Sequence, residues 1–286
     1  MLNPMLTLPA PAKLNLFLHI TGRRDNGYHE LQTVFQFLDY CDELSFRLTE
    51  EDVINLPDTM KDVAPTDNLI YKAASKLLPY KKTTQGIEIR INKIIPMGGG
   101  LGGGSSDAAT TLVAVNHLWQ CGLTTEQLAQ MGLSLGADVP VFVMGHAAWA
   151  EGVGEKLTPI SPPESWYLVV TPEAHVSTAK IFSDKRLTRD TPKIKIAPAF
   201  EGNAQRYKND CQAVVCEEYP EVQKALKQLE KFGNALMTGT GACVFSKFET
   251  ETQARNAQQQ LSSNLACFIA KGLNISPLYT RLKKQE

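Results

Sequence analysis

At 286 residues the chain is long enough for two domains of roughly 100–200 residues each. Hydrophobic residues make up 43% and charged residues 21%, so a buried core is within reach and wholesale disorder is excluded. Lys and Arg total 29 against 30 Asp and Glu, a net charge of -1, so nothing pulls the whole surface toward nucleic acid or an anionic membrane. Any phosphate site must be built locally. No apolar run reaches about 18 residues, which argues against a membrane span. The N-terminal stretch has neither a basic segment nor a long apolar one and reads as a poor signal peptide. The six cysteines are scattered, with no Cys-x-x-Cys and no His at metal-ligand spacing. Reduced, free thiols in a cytoplasmic protein are the expectation.

In chain order, residues 12–20 alternate with period two. Leu14, Leu16, Leu18 and Ile20 share one face, and Lys13, Asn15, Phe17 and His19 share the other. A turn-rich segment, 21–30, comes next, and then 31–40 and 42–48 read as two further strands. The opening is therefore β-rich. Residues 67–78 begin on an Asp/Asn cap and carry helical spacing. Residues 86–95 alternate again, with Ile87, Ile89 and Ile91 against Glu88, Arg90 and Asn92, and predict a strand. A glycine-rich run precedes a helix predicted over 108–119. A second helix over 124–135 opens on a Thr124/Gln127 capping-box pattern and ends at Gly136.

Around 161–165 a proline pair marks a composition shift and a domain boundary. Beyond it, 166–171 reads as a strand, 221–232 as a helix and 251–261 as another helix. Residues 238–248 are a glycine turn leading into a strand, and 265–273 a final strand. The hydrophilic stretch 183–208 reads as a flap or a surface excursion. Strands alternating with helices predict a small α+β sandwich for this half.

The stretch 96–109 holds six glycines and two serines between a predicted strand and a predicted helix. Glycine lets backbone N–H groups turn inward, and a helix N-terminus adds unpaired N–H groups and positive dipole. Together they make an anion cradle suited to phosphates, to which Ser105 and Ser106 add hydroxyls. The P-loop pattern needs a Lys before Ser/Thr, and Gly103-Gly104-Ser105 offers none. G-x-G-x-x-G does match at Gly98, Gly100 and Gly103, but the match leads into helix, loop and helix rather than a βαβ run. A purely structural turn rarely needs so many glycines.

Pro96, Gly100 to Ser106 and Ala108-Ala109 resemble the phosphate loop of the GHMP kinases. Pro11-Ala12-Lys13-Leu14-Asn15 resembles that superfamily's N-terminal motif, and Thr238-Gly239-Thr240-Gly241-Ala242-Cys243 its C-terminal glycine motif. Three such motifs in order are far more specific than any one. Three further stretches sharpen the resemblance: Thr21-Gly22 with Arg24 and Gly27-Tyr28-His29; Gly136 to Pro140; and Lys271-Gly272 with Asn274 and Ser276-Pro277-Leu278. They are similar to the branch whose alcohol substrate carries a cytidine diphosphate head. The resemblance implies an α+β, two-domain GHMP kinase fold. A β-rich ATP-binding domain would span 1–160, and a C-terminal α/β sandwich domain for the substrate would span 161–286. It implies ATP-dependent phosphorylation of the 2-hydroxyl of a methylerythritol unit, giving the 2-phosphate and ADP, on the non-mevalonate route to isoprenoid precursors. The cofactors would be ATP and Mg²⁺, with metal ligands left open. The partner would be a small molecule, with no nucleic acid and no membrane, and the chain a monomer or weak homodimer.

Under that resemblance Asp138 is the catalytic carboxylate, orienting the acceptor hydroxyl and taking its proton. Read without it, Asp138 before Val139-Pro140 is a helix cap. Lys13, otherwise a solvated strand lysine, would keep that carboxylate ionised and stabilise charge on the acceptor oxygen. ATP would bind at Pro96, Met97, Gly98, Gly99, Gly100, Leu101, Gly102, Gly103, Gly104, Ser105 and Ser106. Asn68 and Lys93 would lie near adenine and phosphates. The substrate would meet Asn15, Tyr28, His29, Phe35, Thr178 and Phe182, the aromatic faces suiting a pyrimidine. Gly239 and Gly241 would support its acceptor end. Asp107 reads as a favourable charge at a helix start rather than a metal ligand. A GHMP kinase for another alcohol fits less well, because a small acceptor needs no stacking platform. A non-catalytic sensor could have lost Lys13 or Asp138, and both are present.

Overall fold

The computed structural model describes residues 5–57, 67–196 and 207–283. Its frame is a ten-stranded sheet organised on one long strand. β1 (Leu6–Arg23) runs antiparallel to β2 (His29–Thr49) along nearly their whole lengths. The two strands expected over 31–40 and 42–48 are thus one strand of 21 residues. The Asp39–Cys41 stretch looked like a break in sequence, yet pairing with β1 on both sides of it carries the strand through.

The other edge of β2 is shared in succession. It pairs with β5 (Ala148–Gly152), then β10 (Cys267–Leu273), then β4 (Gly86–Asn92). β3 (Ile54–Asn55) lies parallel to β4, and β6 (Lys156–Pro159) antiparallel to β5. β7 (Trp166–Val170), β9 (Val244–Phe248) and β8 (Ala235–Met237) extend the sheet beyond β10.

The alternation expected along β1 is interrupted by register shifts between Pro11 and Lys13, between Asn15 and Leu18, and between Ile20 and Gly22. A bulge re-aims side chains and increases local twist. One strand therefore feeds several cores. Leu8 and Ala10 join a core with Phe37, Phe46, Leu112 and Trp119. Leu14 packs with Leu101, Tyr167 and Phe245. Leu18 and Ile20 join Leu168, Val215, Leu229 and Met237. The side expected to be polar is buried too: Lys13, Asn15 and His19 are as enclosed as the leucines.

The first core is covered by α1 (Leu69–Lys76), α2 (Gly103–Leu118), α3 (Thr125–Leu133) and α4 (Val139–Met144). α3 opens on the expected capping box, with both reciprocal bonds present. α2 begins at Gly103, five residues before the helix read from sequence, so part of the glycine run is helical. Helix propensity disfavours glycine, but the first turn can be set by what its free N–H groups face. The second core lies under α5 (Thr178–Ser183), α6 (Gln212–Glu218), α7 (Pro220–Leu229) and α8 (Glu251–Gln260). α9 (Pro277–Leu282) returns to the first core through Leu278.

The hydrophilic stretch 183–208 is tied to the strands at Thr191 and Ile194. Thr191 bonds Ile20 through its backbone and Asp210 through its hydroxyl, and Ile194 N–H donates to Gln32 Oε1. Its residues 197–206 lie outside the described residues. All six cysteines are free. Among the described residues no helix is long and apolar enough to cross a membrane.

Candidate active site

A cleft of about 610 Å³ opens between the two cores, floored by β1 and β2. The glycine run forms one wall. Gly98, Gly100 and Gly102 take positive φ, which L side chains rarely adopt. Close approach also matters. A Cβ on Gly99 would lie 2.5 Å from Cys243 Sγ, and one on Gly100 would lie 2.2 Å from the Thr238 carbonyl oxygen. The loop is pressed against the C-terminal glycine motif, with Cys243 N–H donating to Gly99 O at 3.0 Å. Two motifs well over a hundred residues apart in sequence thus form one surface, and α2 points its N-terminus into it.

Lys13 stands where the first strand meets this loop. Its N–H donates to Leu101 O at 2.9 Å. Its ammonium donates to Gly100 O at 2.9 Å and to Asn15 Oδ1 at 2.5 Å, and it lies 3.2 Å from Asp138 Oδ2. It also sits 5.3 Å from the centre of the Phe35 ring. Lys13 is not a solvated strand lysine, since its side chain is 3% exposed. Enclosure favours a lysine only when acceptors surround it, and three do. Asp138 starts α4 but makes no capping bond; its backbone is helical, which aims the carboxylate away from the free N–H groups. It remains 33% exposed toward the cleft and pairs with Lys13. Asn15 is fixed through its N–H to Thr238 Oγ1 and through its amide to Thr33 Oγ1, both at 2.9 Å.

A second charge cluster borders the loop. Lys93 lies just past the end of β4, not in it, and its ammonium bridges Asp42 and Asp107. Asp42 also accepts N–H bonds from Ile94 at 2.6 Å and Ile95 at 2.8 Å, which fixes the chain entering the glycine run. Asp107 is the fifth residue of α2, beyond the first turn, so it does not cap the helix. Burial pushes its carboxyl well up, opposed by Lys93 and reinforced by Asp42. Asp42 was not singled out in the sequence. Nothing in sequence sets it apart from its neighbours Asp39 and Glu43.

Of the loop residues expected to hold ATP, Pro96 through Ser105 line the cleft, as do Asn68 and Lys93. Asn68 is also the cap of α1, accepting from Ile70 N–H at 2.9 Å. Ser106 is a correction. It is fully buried, one helical step from Ser105, and faces inward from the cleft wall. Asn15, Phe35, Thr178 and Phe182 line the cleft, together with Gly239 and Gly241. Thr178 and Thr240 share a hydroxyl bond of 2.8 Å across it.

Tyr28 and His29 do not line the cleft. Tyr28 is 63% exposed at the β1–β2 turn, held through its backbone. His29 is buried behind Phe182, the two rings stacked 5.0 Å apart. They face each other rather than leaving a slot for a ring between them. Arg189, missed in the sequence because nothing distinguishes it from other basic residues of a polar stretch, donates to His29 Nε2 at 3.0 Å. Burial first, then Arg189 and Arg23, lower the His29 pKa.

Residues 68–146 match the family model of the GHMP kinases N-terminal domain, and 196–267 that of the GHMP kinases C-terminal domain. The chain is 59% identical over 279 residues to the 4-diphosphocytidyl-2-C-methyl-D-erythritol kinase of Marinobacter nauticus, covering 97% of each. It is 57% identical to the enzyme of that name from Pseudomonas syringae pv. syringae, covering 99% of each. A crystal structure of 4-(cytidine 5'-diphospho)-2C-methyl-D-erythritol kinase superposes with a TM-score of 0.82 at 30% identity, covering 93% of this chain and 99% of that one. With the order of its motifs, the convergence of those motifs on one cleft and this near-complete coverage, the chain belongs to the 4-diphosphocytidyl-2-C-methyl-D-erythritol kinase family of the GHMP kinases.

Proposed function

We propose that the cleft transfers the γ-phosphoryl group of ATP to the 2-hydroxyl of 4-diphosphocytidyl-2-C-methyl-D-erythritol, giving the 2-phosphate and ADP. The carrying observation is the Lys13–Asp138 pair, 3.2 Å apart, with the same ammonium bonded to the glycine loop at Gly100. An acceptor oxygen beside Asp138 therefore lies next to the phosphate cradle. Asp138 Oδ2 is held by Lys13, and Oδ1 takes the hydroxyl proton as the oxygen attacks phosphorus and the bond to ADP breaks. Lys13 offsets the charge on the acceptor oxygen and keeps the carboxylate in place.

The loop fits a polyphosphate. Its glycines leave no room for a Cβ at Gly100 or Gly102, and the free N–H groups of α2 face the cleft. Mg²⁺ fits beside it: Asp107 lines the cleft, and its Oδ1 has no hydrogen-bond partner. Asp107 would hold the ion, which would neutralise charge on the phosphates.

Asn15, Phe35, Thr178 and Phe182 are assigned to the alcohol substrate, with His29 supporting its cytidine end from behind Phe182. We assign residues 1–160 to an ATP-binding domain that also lends Asn15, His29 and Phe35 to the substrate, and 161–286 to a substrate domain, although β1 and α9 cross between the cores. Unpaired thiols suit the cytoplasm. The test is a coupled ADP-release assay with the cytidylylated methylerythritol against mevalonate and homoserine. Turnover should be confined to the first; comparable turnover of either of the others would overturn the assignment.

A further inference from the structure

Arg189 lies in the irregular segment after α5 and makes four directional bonds. Nε–H donates to His29 Nε2 at 3.0 Å, and the two Nη groups donate to the carbonyls of Leu187 at 3.0 Å, Phe182 at 3.1 Å and Asp184 at 2.6 Å. A guanidinium has only donors and stays protonated at any working pH. The ring nitrogen facing it must therefore carry a lone pair, which leaves the ring's single proton on Nδ1. The same guanidinium grips the backbone of Phe182, whose ring stacks on His29 at 5.0 Å and an interplanar angle of 23°. Phe182 lines the cleft; His29 and Arg189 stand behind it.

We propose that Arg189 is a positioning residue for the head end of the substrate: it fixes His29 as the neutral Nδ1–H form and locks Phe182 to it. That end of the cleft then presents the Phe182 ring in one fixed orientation, backed by a neutral imidazole, and selects a planar head group that stacks on it. The inference rests on the kinase reading for the identity of the head, here the pyrimidine ring. The charges facing His29 are both cationic, Arg189 and Arg23, so protonation of the ring is opposed from both strand and loop.

Nitrogen-15 NMR of the imidazoles, assigned by comparison with His29→Gln, reads the tautomer in the full chain without substrate. The wild type at pH 7.5 should show His29 protonated at Nδ1 alone. Arg189→Met should mix the tautomers and raise the ring's pKa. It should also raise KM for the cytidine-headed alcohol roughly tenfold, the scale of one lost charge-assisted hydrogen bond, while KM for ATP and kcat hold within about twofold. Arg189→Lys, which keeps one donor, should restore the tautomer but recover KM only in part. An Nε2–H or doubly protonated ring in the wild type would overturn the proposal. So would equal rises in both KM values in a folded Arg189→Met variant. Because the tautomer is read without turnover, failure of the wild type to phosphorylate the cytidine-headed alcohol would strike the kinase reading instead.

Discussion

Asp138→Asn keeps the size of the side chain and removes its charge and its ability to take a proton. Two costs can be compared. Breaking a fully buried ion pair costs about 3–5 kcal/mol, and an exposed one about 0–1 kcal/mol. Asp138 is 33% exposed, and Lys13 keeps Asn15 Oδ1 and Gly100 O as acceptors, so the stability cost should be about 1–2 kcal/mol. For a chain of this size that lowers Tm by about 2–8 °C. The loss of an acid/base group should lower kcat by about 10²–10⁴-fold, or about 3–5 kcal/mol of barrier. The second effect exceeds the first, so the variant should be folded, should bind ATP and should be nearly inactive. Thermal melting, nucleotide titration and the coupled ADP assay on one preparation separate these quantities. A pure, folded Asp138→Asn variant turning over within about threefold of wild type would remove Asp138 from the chemistry.

Gly100→Ala should weaken ATP binding more than about tenfold. The residue needs φ near +77°, which costs about 1–2 kcal/mol with a Cβ, and the new methyl would sit 2.2 Å from Thr238 O. ATP titration with unchanged affinity would show that the loop does not need that approach. Asn68→Ala should cost about 1 kcal/mol through the lost cap and also raise KM for ATP. Asn68→Asp should restore stability but not KM, and full recovery of both would reduce Asn68 to a cap. With its pKa held below the ordinary value, His29 should stay neutral past the point, near about pH 6.5, where an ordinary histidine takes up its proton. The unfolded chain takes up that proton first as pH falls, so the ring should contribute a loss of stability toward acid. KM for the alcohol should rise as the folded ring in turn protonates, and a KM independent of pH across the acid limb of the stability profile would contradict it.

The sequence by itself determined the local features whose causes are local. The alternation of 86–92, the capping box at Thr124, the cap at Asn68 and the amphipathic α7 depend on neighbours within a few residues, and each was legible, although the strand expected to run to 95 stops at Asn92. So was the glycine run, because no ordinary turn needs so many glycines. Tertiary structure decided what depends on distant partners. Pairing with β1 carried β2 through Asp39–Cys41, and bulges turned the polar side of β1 into the floor of a cleft. The environment of Asp107 and the role of Asp42 came from groups distant in the chain, and Arg189 gained its role by joining nearby carbonyls to the distant His29. A single acid or arginine carries no periodicity in sequence. Its chemistry is set by burial and by which donors face it, and only the folded chain fixes either.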